Sequence, residues 1–279
     1  MSLSPVTAVT IPEIAAPLAA LLPARRSGPW SVVPAPYSIR PNAATASITD
    51  GSRSLIVVEQ AGRIEVFADR PEEYPVRPDA VADISEPVPA AALAARLLRR
   101  TLPQLDRETA AATARTSGWS RVRHNRLQDL MEVGFNLIDH GASLDAVEGT
   151  SGPGLIWATH SGATWGLALH GLNSSLALRY DGPVSGLYGL LPSLLPPADG
   201  RQSADVGSVF TRHLTDRFPQ LSPVTDHEVE LGSYREPTGY VALPSTEVPC
   251  DQADDWTRVV AEFGCIGADL LLAAATHLI

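Results

Sequence analysis

Lysine is absent from this chain: all 21 basic residues among its 279 are arginine. The absence excludes chemistry that depends on a side-chain amine. P-loop nucleotide sites set a lysine on the β- and γ-phosphates, protein kinases need one on a strand, and pyridoxal-phosphate and Schiff-base enzymes use one as a nucleophile. Cysteine is nearly as scarce. Cys250 and Cys265 are the only two and no CxxC occurs, so neither a disulfide scaffold nor a zinc ribbon can be built. A long apolar run is missing too. The most apolar window, 264–279, is shorter than the ~20 residues of a bilayer span and contains Asp269 and His277. Arg25 and Arg26 follow the first apolar stretch rather than precede it, the reverse of a secretory signal. A cytoplasmic, non-membrane protein is the expectation. The 31 acidic residues outnumber the basic ones for a net charge of −10, which argues against general affinity for nucleic acid, because such affinity comes mainly from phosphate neutralisation.

The patterning that is present predicts an α+β fold, an antiparallel β-sheet with packed helices. It divides into a proline-rich N-terminal region over 1–85 and an α+β domain over 86–279. In the first part, Thr10 and Glu13 bracket Pro12 as a capping box for a short helix over 11–22, with Ile14, Leu18 and Leu21 or Leu22 on one face. Coil fills the stretch to Asn42. Residues 53–68 are two β-rich runs about Gln60-Ala61-Gly62, the pattern of a hairpin. The proline-dense stretch 71–89 reads as a linker or surface crossing.

In the second part, a helix is predicted from Pro89 to Leu102 along Leu93, Leu97 and Leu98, with Pro103 breaking or kinking it before a further helical stretch to Arg115. The segment 125–140 is the best amphipathic helix. Asn125 and Gln128 form its capping pattern, Leu127, Leu130, Met131, Phe135 and Ile138 its apolar stripe, and Gly141 its stop. Three strands follow at 155–159, 165–170 and 175–180, then a proline-rich crossing near 191–197, a helix over 205–218 and strands at 227–231 and 239–243. A final helix is predicted from Asp251 onward, with Trp256, Val259, Val260, Phe263, Ile266 and Leu270 at helical spacing. The order helix, three strands, helix, two strands, helix resembles, over about half the chain, the small α+β domains of secretion-chaperone and related peptide-binding folds.

Motifs of known chemistry are missing: no GxSxG, no HExxH, no GxGxxG after a strand and no EF-hand loop. The glycine-rich 149–154 precedes a strand, whereas a phosphate cradle follows one and opens a helix, so a plain turn is the better reading. His160, beside Trp157 and Ser161, and His170 are the histidine candidates for a general base, since imidazole titrates near neutrality. They fall near opposite ends of paired strands, too far apart to share one metal. Asp226, Glu228 and Glu230 alternate with His227 and Val229, an acidic stripe along one strand face that would suit a divalent cation or a basic partner, or lie solvated. With no closely spaced His or Cys ligands, neither a metal nor a cofactor is expected.

Charge is uneven. Arg96, Arg99, Arg100, Arg107, Arg115, Arg121, Arg123 and Arg126 stand against only Asp106 and Glu108, so 96–126 carries +6. The planar guanidinium suits carboxylate or phosphate. Arg96, Arg99, Arg100, Arg107 and Arg123 are therefore the candidate binding residues, whether for another protein or for the chain's own acidic region around Glu247, Asp251, Asp254, Asp255 and Glu262. Trp119 is the only aromatic in the stretch, which gives no stacking platform for nucleic-acid bases. The leading expectation is a non-catalytic protein-binding, adaptor or chaperone-like protein. The alternatives are a lysine-independent hydrolase or lyase using histidine and carboxylates, and a nucleic-acid-associated protein working through the arginine-rich segment.

Overall fold

The computed structural model describes residues 12–70, 75, 77–149, 152–170, 175–197, 207–232, 236–246 and 248–279. It is an α+β protein with two antiparallel sheets, and the chain divides into two compact units, Met1–Thr101 and Leu102–Ile279.

The first unit is a meander. Helix α1 (Ala15–Leu21) precedes strands β1 (Ser31–Pro34), β2 (Ala44–Thr49), β3 (Ser54–Gln60), β4 (Arg63–Ala68) and β5 (Ala80–Asp83), which pair in chain order, followed by α2 (Pro89–Arg96). The hairpin read at 53–68 is present, with Gln60 opposite Arg63 and both loop residues, Ala61 and Gly62, at positive φ. That is the two-residue loop whose twist suits a hairpin. Strand β3 buries Leu55, Ile56, Val57 and Val58 in succession because both its faces are covered. Ile56 and Val58 pack with Ile39 and Phe67 on one side. Asp50 shapes the β2–β3 turn. It accepts from Ser52 N, Arg53 N and the Arg53 guanidinium at 2.7–3.0 Å, and Arg53 also lies over Trp30.

Three local expectations for this unit change. The α1 N-terminus has no side-chain cap of its own; the Ile14 N–H donates to Glu59 Oε1 of β3 at 3.0 Å, a carboxylate delivered by tertiary packing. Thr10 lies outside the described residues. β1 occupies part of the supposed coil, and β5 occupies part of the supposed linker. Both are four-residue edge strands, and β1 ends on Pro34, where a missing N–H costs no ladder bond.

The second unit starts with α3 (Leu102–Ser117) and α4 (Trp119–Asp139). Pro103 does not break the helical run: Leu97–Thr101 forms a π-helical turn before α3, and that wider spacing absorbs the lost N–H. Helix α4 begins at Trp119 after Gly118, not at Asn125, and Asn125 sits inside it. Next come β6 (Asp145–Gly149), β7 (Gly152–Ala158), β8 (Thr164–His170), β9 (Ser175–Pro183), the four-residue α5 (Leu191–Leu194), α6 (Val209–Arg217), β10 (Ser222–Thr225), β11 (Glu228–Leu231), β12 (Thr238–Ala242), β13 (Arg258–Ile266) and α7 (Ala268–Ala273). The eight strands are ordered β10-β11-β12-β13-β9-β8-β7-β6, so β13 joins two meanders at the centre.

The final helix expected from Asp251 is instead this central strand. Val259 and Phe263 are four residues apart, a spacing shared by strand and helix periods, whereas buried Val259, Ala261 and Phe263 alternate with less buried neighbours in the period of two that decides the matter. A bulge at Cys265, with φ 58°, then returns Ile266 to the core. Trp256 lies in the turn before the strand and is 75% exposed. Gly239 is opposite Phe263, and a Cβ there would collide with Glu262 O and the Phe263 ring. One sheet face is dry: Val229, Val241, Ala261, Tyr180, Trp165 and Trp157 are paired neighbours across six strands, all buried. The other carries ion pairs, Arg258 with Asp181 at 2.7 Å and Arg179 with Glu262 at 3.5 Å.

Candidate functional site

Helix α4 is the element that presents the most. Its inner face buries Val122, Leu130, Val133, Gly134 and Leu137, packing on α3, α7, β7 and β8. Gly134 sits close against this packing: a Cβ there would stand 2.8 Å from Leu155 Cδ1, so the Leu155 side chain would have to shift. Arg126 is drawn in as well and donates to Ser175 O at 3.4 Å. The cleft it shares with Asp129, Leu169, Ser175, Leu176 and Ala268 has no interior room for a ligand.

The opposite face is apolar and open. Met131, Phe135 and Ile138 lie at i, i+4 and i+7 and are 54%, 60% and 49% exposed, where the apolar spacing predicts a buried stripe. Of that stripe, Leu130 is buried and Leu127 half-buried. The helix is apolar over more of its circumference than its contacts with the sheet use. Met131, Phe135 and Ile138 together offer on the order of 300 Å² of apolar surface, comparable to the largest patch on a typical monomer, which is often functional.

A second constellation assembles from three distant segments. Tyr188, just after the 3₁₀ turn Val184–Leu187, donates its hydroxyl to Asp255 Oδ1 at 2.6 Å, and its oxygen lies 2.9 Å from His213 Nε2 on α6. With the phenol proton committed to Asp255, that oxygen can only accept. The contact is therefore a hydrogen bond in which His213 Nε2–H donates to the phenol oxygen. Arg217, one turn along α6, stacks over the Tyr188 ring at 3.9 Å. Burial, then the Asp255 carboxylate, holds the phenol well above its usual range despite Arg217, so it stays protonated at neutral pH. Such a carboxylate–phenol–imidazole chain holds a histidine ring in one orientation.

The residues singled out from sequence are dispersed. His160 is exposed in the β7–β8 turn. His170 ends β8, paired with Ser175, and its side chain lies outside the described part. Asp226 sits in the β10–β11 turn, so the acidic stripe on the strand shortens to Glu228 and Glu230. The turn joins β11 to β10, an edge strand containing Pro223 that the alternation did not reveal. Arg96 is half-buried, Arg99 buried and Arg100 exposed. Arg107 donates to Gln104 Oε1 at 3.0 Å, and Arg123 is exposed on α4. Buried Arg99 and Arg126 face no external phosphate. Of the acidic region, Glu262 pairs with Arg179, and Glu247 lies outside the described residues.

Among the described residues, no group of three or more His, Cys, Asp or Glu is placed to hold a metal ion, and no helix is long and apolar enough to cross a membrane. Sequence reasoning missed Tyr188 and His213 and named Asp255 only as part of the acidic region; the three lie 25 and 42 residues apart along the chain (188 to 213, 213 to 255) and share no motif. Comparison of the chain with protein-family models, with curated proteins and with solved structures finds no match.

Proposed function

We propose that the protein is a non-catalytic protein-binding module that offers the outward face of α4 to a protein partner. The observation carrying this reading is the open row of Met131, Phe135 and Ile138 on a helix whose other face is fully packed. Three large apolar side chains in line on a well-anchored helix are the anchor pattern of helix-mediated recognition, and leaving them in water is a cost that association relieves. The test is a photo-crosslinking residue at position 135 in the native cell, with position 251, on an exposed loop, as control. A discrete adduct at 135 that disappears with Met131→Ser supports the reading. Equal or no crosslinking at the two positions refutes it.

A second reading, an enzyme of the hydrolase or lyase class, is favoured by one observation, the Asp255–Tyr188–His213 chain. In it His213 Nδ1 would act as general base, and Tyr188 and Asp255 would be positioning residues. A panel of ester, amide and phosphoester substrates tests it. Turnover that falls roughly 100-fold in His213→Gln would establish this reading, and the absence of turnover across the panel would set it aside.

A further inference from the structure

We infer that the occupant of the α4 face is a second copy of this chain, its α4 lying antiparallel across a twofold axis; the inference rests on the binding-face reading above. The argument is the charge order along the helix. Arginine ends abruptly at Arg126, and from 127 to 178 the chain contains no cation but five acids, Asp129, Glu132, Asp139, Asp145 and Glu148. The open apolar row therefore begins beside a basic end, with exposed Arg121 and Arg123, and finishes at an acidic one, with exposed Asp139.

Arg121 and Asp139 are 18 residues apart, which at 3.6 residues per turn is five whole turns. They therefore project from the same flank of the apolar row at its two ends. A twofold antiparallel partner brings like flank to like flank and each end of one helix to the opposite end of the other. In the register where residue i faces 260 − i, Arg121 meets the copy's Asp139 and Asp139 meets the copy's Arg121. Met131 then falls beside its own counterpart near the axis, and Phe135 opposite Asn125 of the other copy. The helix dipoles oppose as well. A parallel partner would set acid on acid and base on base. One face thus supplies both halves of its own complement, as an isologous interface must. Its area is that of one helix face flanked by α3, at the low end for protein interfaces, so the dimer should be weak and should loosen with salt.

Sedimentation equilibrium of the full chain over a concentration series tests this. A monomer–dimer equilibrium is expected, weakened roughly tenfold by Arg121→Asp or by Asp139→Arg alone, because each reversal turns two symmetric attractions into repulsions. The two reversals combined in one chain should restore it. The reactivity of a thiol introduced as Ile138→Cys, measured by peptide mass spectrometry at high dilution, separates the failures. A monomer at every concentration, or a dimer indifferent to the charge swap, with the introduced thiol as reactive as a free one, overturns the second copy and leaves the face to another partner. A monomer in which the introduced thiol is protected shows the face covered within one chain and overturns both readings.

Discussion

Phe135 and Leu137 are two residues apart on α4 and should respond very unequally to truncation. Leu137 is fully buried, whereas Phe135 is 60% exposed. Leu137→Ala removes a side chain packed between helix and sheet and leaves a cavity, at a cost of about 3 kcal/mol. Phe135 buries less than half of its surface, so its truncation forfeits about 1 kcal/mol of burial, and roughly half of that is returned by the better helix propensity of alanine. The expected difference is about 2.5 kcal/mol between neighbours in one helix. Urea denaturation followed by far-ultraviolet circular dichroism at high dilution, where self-association is negligible, measures both. Equal losses would mean that Phe135 is covered within the single chain, and the open face on which the functional reading rests would not exist. A stabilising Phe135→Ala would strengthen the case that the residue is retained for binding.

Other perturbations probe the scaffold. Asp50→Asn should destabilise the first unit by about 3 kcal/mol, since it removes the carboxylate charge that pairs at 2.7 Å with the nearly buried Arg53 guanidinium. Burial alone would raise the Asp50 carboxyl, but the Arg53 charge and hydrogen bonds outweigh it and hold the group below the usual range. The wild-type contribution is therefore full above the unfolded carboxylate pKa and fades as pH falls through the lower folded value; an acid-melting curve identical in Asp50→Asn would contradict it. Phe263→Ala should cost roughly 3–5 kcal/mol as a central-strand core truncation, and amide exchange through 258–266 should be slow, as expected for a doubly paired strand. Gly239→Ala should be at least as damaging, read as a lowered midpoint, because its Cβ has no space between Glu262 O and Phe263. On duplex DNA no binding tighter than micromolar is expected at physiological salt, and a steeply salt-dependent gel shift would refute this.

Much of the local structure is legible in the sequence. The 53–68 hairpin follows from two β-branched runs about Ala61-Gly62, and the strands from β7 to β9 follow from short apolar runs broken by turns. The charge reversal at Arg126 is likewise a property of the linear chain. These signals are local: a turn residue needs only its own φ, and an alternation needs only its own neighbours.

What the tertiary structure decided is where apolar residues meet a partner. Spacing alone assigns Val259 and Phe263 equally to strand or helix; pairing with β9 and β12 makes them a strand. Periodicity shows that α4 is apolar over a wide arc, but only the position of β7, β8 and α7 determines that Leu130, Val133 and Leu137 are covered while Met131, Phe135 and Ile138 remain open. The Tyr188–His213–Asp255 chain exists only because a 3₁₀ turn, a helix and a loop converge. Burial and side-chain convergence depend on which distant elements fill the space around a residue, and no local pattern encodes that.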